Sequence, residues 1–270
     1  MIVLIVLFVA ATPAAGPSVA ASKAFDDYVA GVEERVRREE SSVASFVVEP
    51  DGSAAVREAT VGRGEVVVDP GGSGTVEIHG GLIHHWTGSV FAPGATVGEV
   101  LSVVQDYDHL ARYYSPEVMS SRRISRDGDD FRIAMRLREH RVVTVVMDTE
   151  YDVRYGRLDS EHQFSFSRST SITEIADAGG PHERAGADAE NHGYLWRLNA
   201  YWRFAQKGDG VLVQCEAVSL TRDVPAGLGW LVGPLIRGIP RESLQATLGA
   251  TRDAVVARVN SERVTTAEHR

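Results

Sequence analysis

His84 and His85 stand side by side, with His79 shortly upstream, and imidazole is the commonest side-chain ligand for zinc and copper. Adjacent residues on a strand point to opposite faces, so these two cannot share one ion. No carboxylate stands at a metal-ligand spacing around them, and the segment predicts strand histidines with ordinary hydrogen bonds and no metal site. Asp106, Asp108 and His109 in VQDYDHLARYY have the types needed for an acid–base pair. Arg168 shares the Phe164 and Phe166 face of FSFSRST. If that face is internal, the guanidinium needs a carboxylate, because an unpaired buried charge is costly. Glu216 and Glu174 are the candidate partners, and such a pair would either orient a ligand carbonyl or carboxylate or act as a structural bridge. Cys215 is the chain's one cysteine and lies in the strand pattern VLVQCEAVSL; it reads as a small buried hydrophobe, not as a catalytic thiol. Trp196 and Trp202 alternate with Leu198 and Phe204 and serve as either cavity wall or ordinary core.

These residues sit in a chain of 270, with 43% hydrophobic and 24% charged residues and a formal net charge of -9. Phosphate backbones are bound by clustered Lys and Arg, so nucleic acid is excluded as the expected partner. A single cysteine rules out an intramolecular disulfide, and the core must stabilise the fold unaided. The N-terminus MIVLIVLFVAATPAAGPSVAAS has an apolar stretch, Ile2 to Ala11, too short to span a bilayer, followed by small residues. It predicts a secretory signal over residues 1–21, without the usual basic n-region, and hence export to the periplasm or medium. The alternative is an N-terminal membrane tether.

The elements that must position the candidates follow from periodicity. Lys23 to Glu40 predicts a helix with Phe25, Tyr28, Val29, Val32 and Val36 on one side. Val43 to Val48 and Gly64 to Val68 predict short strands, and Asp69 to Gly74 a loop. Residues 22–75 are therefore expected to form an N-terminal extension, 76–262 the main domain and 263–270 a disordered tail. The main domain opens with a strand over Leu82 to Phe91. A helix follows, capped by Thr96 with Glu99 three positions on. Phe131 to Leu137, Val142 to Tyr155 and Tyr194 to Phe204 alternate with period two, which fits an antiparallel sheet with one buried face. Asp127-Gly128 and Gly208-Asp209-Gly210 supply hairpin turns. Asp177 to His192 reads as a long polar loop. Pro225 to Gly238 is an apolar segment, read either as a short buried helix or as a gate that touches membrane transiently through Trp230, Leu231 and Leu235. From Pro240, at a first helical position, Leu244, Leu248, Val255 and Val259 share a helix face. The fold class is α+β.

The run VFAPGATVGEVLSVVQDYDHLARYYSPEV and the closing IPRESLQATLGATRDAV resemble the START-like, or SRPBCC, superfamily, in its polyketide cyclase-like branch. The resemblance covers residues 81–259. It implies a helix-grip fold, in which a curved antiparallel sheet wraps around a long C-terminal helix, here with an N-terminal extension. It also makes Asp106 to His109 a structural turn with Tyr107 and Leu110 under the sheet. The function it implies is binding, transport or sequestration of a hydrophobic small molecule or lipid between sheet and helix, without a cofactor. The expected wall residues are Phe131, Met135, Trp196, Leu198, Trp202, Leu244 and Leu248, with Arg168 and Glu216 as the polar pair. A binding protein is favoured over an enzyme. The alternatives are a cyclase- or aromatase-type enzyme using the same cavity, with Arg168, Glu216 or a histidine as acid–base group, and an envelope interaction module with a filled core.

Overall fold

Period-two alternation along most of the chain becomes one antiparallel sheet. The computed structural model describes residues 16–47, 64–140, 144–186, 195–223 and 229–268, with the side chains of the last helix described over 238–264. The strands are β1 (Val67–Ile78), β2 (Gly81–Pro93), β3 (Val118–Asp127), β4 (Asp130–His140), β5 (Thr144–Arg157), β6 (His162–Ala176), β7 (Arg184–Ala185), β8 (Arg197–Lys207) and β9 (Gly210–Thr221). They lie in the order β1-β2-β9-β8-β6-β5-β4-β3, with the short β7 added to β6. The expected turns hold the β3–β4 and β8–β9 hairpins, where Gly128 and Gly208 take φ of 58° and 56°.

Three helices clothe this sheet. α1 (Val19–Glu39) is capped by the Ser18 hydroxyl, which accepts from the Ala21 amide at 3.0 Å. α2 (Val97–Val104) starts at a reciprocal cap: Thr96 Oγ1 accepts from the Glu99 amide, and the Glu99 carboxylate accepts from the Thr96 amide at 2.6 Å. α3 (Gly229–Glu268) runs for 40 residues, roughly 60 Å at 1.5 Å per residue, enough to cross the whole sheet. Among the described residues no helix is long and apolar enough to cross a membrane.

The two sheet faces carry separate cores. On the inner face, Val90, Phe131, Ile133, Tyr151, Val153, Phe204 and Val213 pack with Val97 and Val100 of α2 and with Leu244, Leu248, Val255 and Val259 of α3. On the outer face, Phe25, Val29, Val32 and Val36 of α1 pack on Ile83, Tyr201, Val218 and Leu220. The chain is thus an α+β helix-grip structure with a helical layer added outside the sheet.

Several local expectations are corrected. Val43 to Ser45 forms a 3-10 turn, not a strand; the Ser45 hydroxyl bonds back to the Glu39 carbonyl at 2.9 Å and holds the chain close to the end of α1. Asp69 to Gly74 lies within β1 as an irregularity in its pairing with β2, so the expected boundary at residue 75 falls inside a strand. Pro240 lies well inside α3, which begins at Gly229; its ring removes one helical hydrogen bond and crowds the carbonyl four residues back, yet the helix continues through it. Of the secretory stretch expected over residues 1–21, Val19 to Ala21 open α1, while residues 1–15 lie outside the described residues, as do Val48 and Pro225. The side chains of Trp230, Leu231 and Leu235 are likewise outside them.

Candidate functional site

Strand pairing assigns every candidate to a face, because directly opposed residues on neighbouring strands project to the same side. One cross-strand row joins Trp86, Ala217, Ala200, Ser167, Val153 and Phe131. Val153 and Phe131 belong to the core under α3, so the whole row faces inward. The flanking rows place Trp202 beside Cys215 and Ser165, and Leu198 beside Ser219. Phe131, Met135, Leu198, Trp202, Leu244 and Leu248 therefore lie in or against the inner core with α3. The centre of that wall is floored by small side chains, Ala217, Ala200 and Ser167. All three remain partly open to solvent, as do the taller Trp86, Leu198 and Trp202 around them. Residues in the middle of a sheet face under two helices would be dry if packing were complete. Their partial exposure shows that α2 and α3 do not seal the floor, and this open strip is termed the trough.

Two open grooves lie at the rim. One, of about 640 Å3, is bounded by Glu65, Val66, Glu242, Gln245 and Ala246 between the approach to β1 and α3. The other, of about 450 Å3, is bounded by Pro116, Glu117, Arg138, Glu139, His140 and Thr144. Neither is lined by the wall residues read from the sequence.

Trp196, Arg168 and Glu216 do not join the trough. Trp196 precedes β8 in a bend, where strand parity no longer applies, and it packs with Val218 and Leu220 on the outer face. Arg168 pairs with Glu33 of α1, Nε to Oε1 at 2.8 Å, and not with Glu216 or Glu174. Its side chain is 52% exposed, so it is no buried ligand anchor. Glu216 is buried on the outer face between β9 and α1. It accepts from His85 Nε2 at 2.6 Å and from Arg35, with Arg203 Nη1 3.8 Å away. The Nδ1 of His85 lies 2.8 Å from the Tyr28 hydroxyl. Arg203, fully buried, donates to Glu39 at 2.8 Å and to Gln214 at 3.1 Å. The sequence shows these groups but not that one helix collects them.

The electrostatics of this outer network are strongly asymmetric. Burial alone would raise the Glu216 pKa; the hydrogen bond and charge of His85, together with Arg35, outweigh it and hold the carboxyl down at about 2. Burial raises Glu40 to about 8, against the pull of Arg203. Cys215 sits in the inner core, where burial pushes its thiol well up, away from the thiolate that a nucleophile requires.

The remaining candidates are structural in geometry. His84 faces inward and bonds to Thr221 Oγ1 at 2.9 Å and Thr75 Oγ1 at 3.2 Å, while His85 faces outward. Asp106 accepts from His109 Nδ1 and from the Tyr113 hydroxyl, both at 2.8 Å, closing the turn after α2. Tyr107 and Leu110 are buried beneath it, and the Tyr107 hydroxyl meets that of Tyr155 at 2.7 Å. Among the described residues no group of three His, Cys, Asp or Glu is placed to hold a metal.

The fold defines an α+β helix-grip protein. No protein-family profile matches the chain, and no curated protein matches it in sequence. Its structural neighbours are START/SRPBCC-type proteins. They include a STAR-related lipid transfer protein from Xanthomonas axonopodis, 16% identical with a TM-score of 0.42 over 67% of this chain and 98% of that one. The Zhui aromatase/cyclase from Streptomyces is 14% identical, with a TM-score of 0.41 over 66% and 96%. A START superfamily protein from Mycobacterium smegmatis is 14% identical, with a TM-score of 0.41 over 66% and 97%. At these values the likenesses are remote, and the grip architecture rests on the strand order and helix placement described above.

Proposed function

We propose that this protein binds an apolar small molecule in the trough between the inner sheet face and α3. The observation that supports this reading is the floor of Ala217, Ala200 and Ser167, left partly open near the centre of the inner face. Apolar pockets with a few polar groups are the usual design for small-ligand sites, and each square ångström of apolar surface covered contributes about 25 cal/mol. Of the acid–base groups an enzymatic reading would use, Arg168, Glu216 or a histidine, the first two lie across the sheet from the trough, and the inward His84 is held by Thr221 and Thr75. Binding is therefore the reading favoured over turnover.

The test is titration of the full chain with N-phenyl-1-naphthylamine, an uncharged dye that fluoresces in apolar surroundings. Wild type is expected to bind it saturably. Ala200→Phe, which raises a ring from the floor, is expected to abolish binding while far-UV circular dichroism stays unchanged. Trp196→Ala, on the outer face, is expected to leave affinity within about twofold, since distant sites act independently. Absence of saturable binding to wild type, or equal binding by Ala200→Phe, refutes the reading.

A further inference from the structure

We infer that the trough selects uncharged ligands that carry a hydrogen-bonding oxygen, and discriminates against carboxylates; this rests on the trough being the binding site. In FSFSRSTS the serines face inward, because Ser165, Ser167 and Ser169 pair with Tyr155, Val153 and Tyr151 of the inner core. The phenylalanines turn outward, where Phe166 packs on Tyr201. The grip therefore has a stripe of hydroxyls along the middle of its greasy wall.

A hydroxyl stripe alone does not make a site. The second observation is a pair of poorly satisfied inner-face donors. The buried indole Nε1 of Trp86 makes no hydrogen bond. Tyr151 is 3% exposed, and its hydroxyl makes no hydrogen bond of good geometry; its neighbour is the Thr149 hydroxyl, which itself donates to the Met135 carbonyl at 3.0 Å. A buried donor left without a well-formed bond is costly unless something satisfies it. Tyr151 stands in the row of Ser169, and Trp86 stands in the row of Ser167. Trp86 on β2 and Tyr151 on β5 are four strand steps apart, so the two donors bracket a span of roughly 19 Å at about 4.8 Å per strand. That is the length of a small elongated molecule.

The charge on this wall decides the class of polar group. The rows through Ser165, Ser167 and Ser169 contain no lysine, arginine, aspartate or glutamate from β2 to β4. The α3 side chains buried against the wall are Leu244, Leu248, Thr251, Val255 and Val259. The imidazole in these rows, His84, is engaged by Thr221 and Thr75, so a carboxylate brought into such a place would lose its hydration with no lysine or arginine to replace it. A hydroxyl or keto oxygen loses far less and gains the Tyr151 or Trp86 donor. Burial holds the Tyr151 phenol protonated, with its pKa pushed up to about 12, so it remains a donor across the neutral range.

The experiment is displacement of bound N-phenyl-1-naphthylamine by 1-decanol and by decanoate, in wild type, Tyr151→Phe, Ser167→Ala and the double variant. Dye affinity is measured first for each variant, and selectivity is read as the ratio of decanol to decanoate displacement of the same bound dye, which cancels any change in dye affinity. In wild type, decanol is expected to displace the dye at least about tenfold more effectively than decanoate. Each single variant is expected to weaken decanol about fivefold, the scale of one hydrogen bond, and the double variant to narrow the gap with decanoate. If the dye binds but the gap is the same in the double variant, or decanoate competes as well as decanol in wild type, the selectivity proposal is wrong while the binding site stands. If the dye does not bind at all, both fall.

Discussion

Glu216→Gln tests the outer network most directly. Glutamine keeps the side chain's length and its carbonyl can accept from His85, so the substitution removes charge and little else. It also aims an NH2 group at Arg35 and Arg203, which have only donors to offer. The magnitude follows from the carboxyl's pKa, held at about 2 in place of 4.5. At about 1.4 kcal/mol per factor of ten in proton affinity, the ionised form is favoured in the folded state by about 3 kcal/mol. The sign is that of a depressed acid. Its contribution is fully present above pH 4.5 and is lost as pH falls from there through about 2. Urea denaturation at pH 7 is therefore expected to show Glu216→Gln less stable by about 3 kcal/mol, and the difference is expected to shrink by about half at pH 3. A variant within about 0.5 kcal/mol of wild type at pH 7 is what an ordinary surface substitution gives. That result would refute the claim that a charged Glu216 binds α1 to the sheet.

Two further predictions concern the same layer. Glu40, with its pKa raised from 4.5 to about 8, has the opposite sign: its stability contribution is full below pH 4.5 and is lost as pH rises through about 8. Glu40→Gln is therefore expected to match wild type near pH 5 and to exceed it at pH 9 by on the order of 4 kcal/mol in urea midpoints; parallel pH profiles would count against it. A Cβ added at Gly71 would lie 2.2 Å from the His85 ring. Gly71→Ala is thus expected to push His85 off Glu216 and Tyr28, cost about 1–3 kcal/mol, and shift the His85 ring resonances in NMR. Unchanged resonances would show that β1 yields instead.

Much of the fold was legible because alternation is a local signal. In Phe131 to Leu137, Val142 to Tyr155 and Tyr194 to Phe204 the alternate positions lie on one face wherever they fall inside a described strand, from Val145 and from Leu198 onward, and the Thr96–Glu99 cap falls where its spacing puts it. The misplacements share a physical origin. Trp196 looks in phase with Leu198, but parity applies only inside a strand, and β8 begins one residue later. Asp69 to Gly74 has the composition of a loop, yet a strand with a bulge also uses glycine where backbone must approach a ring, here His85. The Arg168–Glu216 pair failed because the sequence assigns a carboxylate no partner across 135 positions: Arg168 meets Glu33, and α1 supplies the acids. The clearest missed signal was FSFSRS itself. Read alone, its aromatic side is the natural core. Once α1 provides a second apolar layer, the aromatics face that layer and the serines are left for the grip.

That inversion explains how a partly open interior can coexist with a stable sheet. Small residues on the inner floor forgo dispersion contacts that a filled core would make. In a two-layer grip that loss would weaken the only core the sheet has. Here the backs of the same strands are closed by Phe25, Val29, Val32 and Val36 on Tyr201, Val218 and Leu220. They are further tied by Arg203, Arg168 and His85 to carboxylates of α1 and β9. Ala200 and Ala217 are flanked along their strands by Tyr201 and Val218, so each vacancy on the trough side has a fully buried side chain against α1 beside it. The outer layer thus holds the strands in register independently of whatever occupies the inner one, and the trough is free to be filled and emptied without the sheet coming apart.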